Sequence, residues 1–275
     1  MSSWKSDYVL INKLKLHYIR TGGDKQPLVL AHGITDDGLC WTTVAEVLAP
    51  EYDVIMVDAR GHGRSDSPKH GYGPKMHAKD LAGVISKLKL QSPIILGHSM
   101  GAGEALTFAG AYPNMPRAIL LEDPPPWWML HGVVTEEEVK QQVPRRDWMI
   151  TLKRKTHADL VSEQQTATPH WSKAEIERWA DSKQRFSLNV IEAFDAKISR
   201  SVDWQTILPR ITCPALLITA DLSHGALVSK ESAAALKSLI PQLQVVYIPE
   251  AGHSIRHDQF EQYMKVIQTF LATVK

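Results

Sequence analysis

Apolar and polar residues alternate over Tyr8–Ile11 and again at Leu14, Leu16 and Tyr18, which predicts two strands around a turn at Asn12-Lys13. A regular strand–helix rhythm follows. Short apolar runs at Pro27–Ala31, Asp53–Asp58, Pro93–Leu96 and Ala118–Leu121 predict strands. The segments Trp41–Ala49, His77–Leu90 and Met100–Ala111 between them predict helices, the second with Leu81, Val84, Ile85 and Leu88 on one face. Strands this apolar are covered on both sides, so the expected core is a mostly parallel sheet flanked by helices.

The rhythm stops at Pro124-Pro125-Pro126. From there to about Pro209 the chain is charged, of helical period and without strand signals. Thr135 with Glu138, and Ser172 with Glu175, have the spacing of capping boxes that start helices. Strand signals return at Ala215–Thr219 and Gln244–Ile248, and Gln259–Val274 predicts a closing helix. The expected organisation is an α/β core over 1–123 and 210–275, with a helical cap over 124–209 inserted between strands 6 and 7.

Composition narrows the partners more than the chemistry. A net charge of +1 over 275 residues leaves no basic footprint for nucleic acid or an anionic membrane. Cys40 and Cys213 have no CxxC spacing, which argues against a disulfide framework or a thiolate zinc site. The remaining histidines lack metal-ligand spacing, so neither metal nor cofactor is expected. The start, Met1 to Asp7, is polar with no apolar signal region, and no apolar run is long enough to span a bilayer. The expectation is a cytoplasmic protein, monomer or homodimer, that acts on a small molecule.

The chemistry begins at Gly97-His98-Ser99-Met100-Gly101, a G-x-S-x-G sequence directly after a predicted strand and before a predicted helix. A serine at such a turn adopts unfavourable backbone angles, and only small neighbours let the chain reverse there. Gly97 and Gly101 supply them, and Ala102, Gly103 and Ala105 let the helix approach the sheet. The turn exposes the hydroxyl and aims free helix N–H groups at a developing oxyanion. A second N–H is expected after an earlier strand, where Ala31-His32-Gly33-Ile34 stands. The amides of Ile34 and Met100 would then form the oxyanion hole, with His32 and Gly33 organising that loop and bordering the substrate pocket.

In order and spacing, His32-Gly33, Asp58-Ala59-Arg60-Gly61-His62-Gly63-Arg64-Ser65-Asp66, Gly97 to Gly101 and Gly252-His253 resemble the α/β-hydrolase superfamily. The pattern is most similar to the capped esterase, lactonase and C–C hydrolase branch. It covers almost the whole chain, although the insertion matches only in position. The resemblance implies a Ser–His–acid triad with His253 as base, on the loop after the last strand; His257 is a rival expected on the following helix. It implies a structural role for Asp58–Asp66, a rigid turn with local ion pairing through Arg64 and Asp66.

The acid is less settled. The position most superfamily members use, after the strand that follows the insertion, carries Ser223, with Asp221 two residues early. Haloalkane dehalogenases and a group of lactonases place the acid after the strand preceding the cap, which corresponds here to Asp123. Asp123 is preferred and Asp221 kept as the alternative, while Glu122 points to the opposite side of its strand.

Six of eight tryptophans lie in or beside the insertion. Some must hold the cap together, but Trp127 and Trp128, with Met129, enter it directly over the catalytic floor and are expected to line the pocket. The basic residues Arg145-Arg146 and Lys153-Arg154-Lys155 read as a solvated helix face rather than a carboxylate clamp. The resulting expectation is a serine hydrolase of small apolar or aromatic esters or lactones. Dehalogenation and epoxide opening are disfavoured because they use a carboxylate where Ser99 stands. C–C bond hydrolysis, perhydrolysis and a non-enzymatic small-molecule receptor remain alternatives on the same fold.

Overall fold

The structure, a computed structural model, describes residues 4–130 and 132–274. Eight strands form one sheet: β1 (Lys5–Ile11), β2 (Leu14–Arg20), β3 (Gln26–Ala31), β4 (Tyr52–Val57), β5 (Ile94–His98), β6 (Ala118–Glu122), β7 (Ala215–Thr219) and β8 (Leu243–Tyr247). Their order is β1-β2-β4-β3-β5-β6-β7-β8; β2 is antiparallel to both neighbours, and the rest of the sheet is parallel.

Side-chain alternation along the central strands decides what covers each face. Val29, Ile55, Ile95 and Ile119 point to one side, under α2 (Pro74–Lys87), α3 (Met100–Ala111) and α9 (Lys230–Leu239). Leu28, Val54, Ile94 and Leu120 point to the other, under α1 (Thr42–Leu48) and α11 (Phe260–Thr273). Both sets are buried, which is why these strands read as continuous apolar runs. Each such Val, Leu or Ile side chain contributes about 1.5–3 kcal/mol. In α11 the buried stripe of an amphipathic helix is formed by Tyr263, Met264, Ile267, Phe270 and Leu271.

Between β6 and β7 lie a short 3-10 turn (Trp127–Met129) and helices α4 (Glu136–Arg154), α5 (His157–Ala167), α6 (Lys173–Arg185), α7 (Ala196–Ser199) and α8 (Trp204–Ile207). Ser172 and Glu175 make the reciprocal capping box at the start of α6. A second box, Thr156 with Asp159, starts α5 and went unnoticed in the sequence. For the Thr135–Glu138 box, the Glu138 side chain lies outside the described residues.

The insertion has its own small core of Met149, Leu152, Leu160, Ala180, Phe186 and Val190, joined by Tyr72 from the core domain. Its two ends do not belong to that cluster. Trp128, Val202, Trp204 and Leu208 pack into the main core with α3 and α9. Large side chains at both of its ends pack on the main core instead, because they find more apolar surface on the sheet side.

Beneath the C-terminal edge of the sheet lies a buried ionic group. Glu122 accepts the Arg256 backbone N–H at 3.0 Å, faces the Arg256 guanidinium at 3.2 Å, and accepts from the Tyr263 hydroxyl at 3.1 Å. This ties β6 to α10 (Ile255–Asp258) and α11. Glu122 does point away from Asp123, as strand alternation requires.

Two stability outcomes follow. A Cβ added at Gly101 would stand 2.3 Å from the carbonyl oxygen of Ala31, a backbone atom that cannot swing aside. Gly101→Ala should cost about 2–3 kcal/mol, read as a clear fall in melting temperature; an unchanged melting point would mean α3 sits farther from β3. Glu122→Gln should cost about 3 kcal/mol in urea unfolding, because it strips the main anion from a buried guanidinium.

Candidate active site

β5 ends at His98 and α3 starts at Met100, so Ser99 alone makes the reversal, at φ 52° and ψ −116°. That conformation is sterically costly for a side chain with a Cβ, by roughly 1–3 kcal/mol, and persists only where its surroundings enforce it. Here they do. The Ser99 N–H donates to the Glu122 carbonyl on β6, and the Gly101 N–H donates to the His32 carbonyl beyond β3. The turn is thus fastened to both neighbouring strands, with the Ser99 side chain on the wall of a cavity of about 230 Å³.

The Met100 and Ile34 amides have no hydrogen-bond acceptor among the described residues, and both residues line the same cavity. The loop carrying Ile34 is shaped by His32, which is buried. Its Nε2 accepts from the Ala59 N–H at 3.0 Å, which fixes the tautomer so that Nδ1–H donates to the Gly33 carbonyl at 2.8 Å. His32 and Gly33 do not line the cavity, contrary to expectation. His32 is occupied in holding the loop, and Gly33 is pressed against the His98 ring, 2.9 Å from where a Cβ would stand.

His253 lies on the loop between β8 and α10 and borders the same cavity as Ser99. Its Nδ1 is 2.6 Å from Oδ2 of Asp123. Asp123 is fully buried just past β6, at φ 42°, and also accepts the backbone N–H groups of Leu227 at 2.8 Å and Val228 at 3.0 Å. With Nδ1–H committed to Asp123, the other ring nitrogen is the basic one. The Ser99 hydroxyl has no hydrogen-bond partner among the described residues; such contacts commonly tighten only when substrate binds.

Asp221, the alternative acid, is engaged elsewhere. It accepts the Tyr247 hydroxyl, and the Glu250 N–H at 2.7 Å, contacts that hold its carboxyl below the usual range. His257 falls on α10, where Nδ1 meets Glu175 at 3.2 Å and the ring lies against Trp171. His98 packs against the His253 ring at 4.7 Å and donates from Nε2 to the His253 carbonyl at 2.9 Å. Burial pushes the His98 pKa well down, so His98 is uncharged beside the His253 ring.

The adjacent tryptophans part company. Trp127 lines the cavity and stacks on Trp204 with ring centroids 6.0 Å apart. Trp128 turns into the main core, where its indole N–H donates to the Ser232 carbonyl at 2.8 Å. Met129 packs on the same core and is also absent from the cavity wall. Both were expected in the pocket. A 3-10 turn advances about 120° per residue, so three consecutive side chains cannot share one face.

Several wall residues escaped the sequence reading: Tyr72, His77, Glu104, Trp148, Phe194 and Leu227. Glu104 left a signal, as a carboxyl in an otherwise small and apolar helix; so did His77, one turn before Leu81 on the apolar face of α2. Arg145, expected on a solvated face, is exposed yet also reaches the cavity wall, above the Phe194 ring.

In the Asp58–Asp66 turn, Asp58 is the fastening group. It accepts from the Gly38 and Arg64 N–H groups and pairs with His17 at 2.8 Å. Asp66 accepts the Lys15 N–H, and the ion pair is Arg60 with Asp80 at 2.6 Å rather than one through Arg64. Among the described residues no group of three or more His, Cys, Asp or Glu side chains could hold a metal, and no helix is long and apolar enough to cross a membrane.

Comparison with known proteins matches these features to others. The N-formylmaleamate deformylase of Pseudomonas putida is 30% identical over 96% of this chain and 95% of its own length. The crystal structure of E-2-(acetamidomethylene)succinate hydrolase superposes with a TM-score of 0.80 at 25% identity, covering 98% of this chain and all of the other. A thermophilic esterase from Thermogutta terrifontis does so with a TM-score of 0.74 at 25% identity, over 99% of both chains. The alpha/beta hydrolase fold family matches residues 26–259, which with the nucleophile turn and the sheet order means that this chain belongs to the α/β-hydrolase family.

Proposed function

We propose that the protein is a serine hydrolase that cleaves a carboxylic ester or lactone of a small, apolar or aromatic substrate. The observation that carries this reading is the 2.6 Å contact between the buried Asp123 and His253, which lines the same cavity as Ser99. Ser99 Oγ attacks the substrate carbonyl carbon while its proton passes to Nε2 of His253. Asp123 keeps the imidazole oriented and stabilises its cation. The carbonyl oxygen, now negative, accepts the Ile34 and Met100 N–H groups. Collapse of the tetrahedral intermediate breaks the C–O bond, and His253 returns the proton to the leaving oxygen. Water then repeats the sequence on the acyl-enzyme, freeing the acid and restoring Ser99. With a lactone the two products are one hydroxy acid.

A second reading has specific support. The names of two relatives denote carboxylates that bear an acylated nitrogen, and Arg145 at the cavity wall offers a cation for such a carboxylate. The same residues would then cleave an acyl–nitrogen bond, with His253 protonating the departing nitrogen.

Turnover of p-nitrophenyl acetate and butyrate should vanish in Ser99→Ala. Asp123→Asn should lower kcat about 10⁴-fold, the scale set by loss of the orienting carboxylate, while Asp221→Asn changes it little. Wild-type-like rates in Ser99→Ala would refute the hydrolase reading, and the reverse order of the aspartates would move the acid to Asp221. Comparing esters with N-acyl amides carrying a carboxylate, in wild type and Arg145→Ala, separates the two readings.

A further inference from the structure

Two titratable side chains in the cavity wall have no part in the chemistry assigned to Ser99, His253 and Asp123. Glu104 lies on α3, on the side facing the cavity, and His77 lies in the first turns of α2. Both are over nine-tenths buried. Nδ1 of His77 stands 3.8 Å from Oε2 of Glu104, beyond hydrogen-bond length, and Nε2 of His77 has no partner among the described residues. The Glu104 carboxyl likewise makes no hydrogen bond to any described residue.

Burial, reinforced by the negative charge of Asp80, pushes the Glu104 pKa up to about 8. Burial, reinforced by Arg60 and His32, brings His77 down to about 3. At neutral pH both are therefore uncharged, and Glu104 carries a proton. A carboxyl buried without a hydrogen bond costs free energy that a leucine in the same place would not. Its position on the substrate cavity gives the group a use.

We propose that Glu104, backed by His77, is an uncharged hydrogen-bond donor subsite for a second carbonyl oxygen of the substrate, that of a ketone, ester or amide, distinct from the carbonyl that Ser99 attacks. The proposal rests on the serine-hydrolase reading for which carbonyl reacts, but not for binding. A protonated carboxyl presents an O–H, which a carbonyl oxygen accepts. A charged group of either sign finds no free counter-ion at the subsite, because Arg60 and Asp80 behind it are paired with each other at 2.6 and 2.7 Å.

Ionisation of Glu104 removes the donor. The charged and titratable groups around it are His77 and Asp80 on α2, Arg60 and Tyr72 from the loop before α2, His32 beyond β3, and Arg145 and His253 on the same cavity. His77 is neutral throughout the range above pH 5, and burial raises Tyr72 to about 12, so neither changes state near pH 8. Preference for a substrate with the extra carbonyl should thus hold below that pH and decline above it.

The test compares p-nitrophenyl 4-oxopentanoate with p-nitrophenyl 4-methylpentanoate, and the 5-oxo- and 5-methylhexanoate pair. Within each pair a C=O replaces a CH–CH₃ of similar shape, so the ratio of kcat/KM cancels effects on the triad. In at least one pair the ratio should fall about tenfold in Glu104→Leu, the scale of one hydrogen bond. It should be retained in Glu104→Gln, whose amide still donates. It should decline through about pH 8 in wild type, following the Glu104 value, and stay flat in Glu104→Gln. A binding arm needs no turnover: 4-phenyl-2-butanone titrated calorimetrically into Ser99→Ala should bind about tenfold more tightly than into Ser99→Ala/Glu104→Leu. Circular dichroism confirms that each variant is folded. Equal ratios and equal binding in the leucine variants would overturn the subsite. Loss of all ester turnover in wild type, with the binding difference intact, would instead overturn the ester reading and leave the subsite standing.

Discussion

The Asp123 carboxylate is fully buried, accepts two backbone N–H groups from the segment before α9, and holds His253 through Nδ1. Those contacts join three chain segments that are remote in sequence: the end of β6, the loop after β7 and the loop after β8. A buried carboxylate is tolerable only when its charge is well solvated by donors, and here backbone amides supply much of that solvation. Because they do so with fixed geometry, the carboxylate is aimed before any ligand arrives. Asp123 sits at φ 42°, and the other strained non-glycine residues near the site are Ser99, Thr35 and Glu250. Each follows the C-terminal end of a parallel strand, β6, β5, β3 and β8 respectively. Half of the eight positive-φ non-glycine residues among the described residues thus lie along the sheet edge where open α/β proteins bind ligands.

The parts of this site that were legible in the sequence are those determined by local chain geometry. Ser99 is identified by a strand, a tight turn and a helix packed close to the sheet, and all three leave marks within about a dozen residues. His253 follows a strand and precedes a helix in the same way. The acid was only half legible, since Asp123 and Asp221 stand just beyond neighbouring strands, and nothing local says which one meets the imidazole. Tertiary contacts resolve their surroundings: the Tyr247 hydroxyl and the Glu250 amide occupy Asp221, whereas the cavity-side imidazole occupies Asp123. Trp128 was misplaced because hydrophobicity alone cannot tell a core indole from a pocket indole. The turn that separates it from Trp127 is set by three-dimensional packing. Leu227 contributes to the site through a backbone amide, a role that leaves no imprint on residue type.

Neutrality of the cavity floor is also arranged from behind. Arg60 and Asp80 make a two-bond pair at 2.6 and 2.7 Å, close to His77 and Glu104 but largely compensated by each other. Arg60 disfavours protonation of His77, and Asp80 disfavours ionisation of Glu104. Burial is the main reason that both neighbours are uncharged, and the ion pair reinforces it, Arg60 on His77 and Asp80 on Glu104. An apolar floor would exclude water equally well but would offer a substrate no orientation.

The helices between β6 and β7 also contact the loop that carries the Ile34 amide. Lys183 on α6 donates to the Thr35 carbonyl and to Asp36, Arg185 pairs with Asp37 at 2.7 Å, and Ile34 itself packs against the cap cluster. Burial alone would raise the Asp36 pKa, but the Lys183 and Arg256 cations hold it at about 2, so this link stays ionic across the physiological range. Buried ion pairs of this kind add little net stability relative to apolar packing, yet they are demanding in geometry. Arg256 closes the circuit, because it also pairs with Glu122 and lies three residues beyond His253. Displacing α6 would therefore disturb Asp36, and through it the loop that carries the Ile34 amide. The helices between β6 and β7 are thereby coupled to this part of the cavity wall by charge as well as by packing, so the position of α6 and the shape of the cavity belong to one connected network.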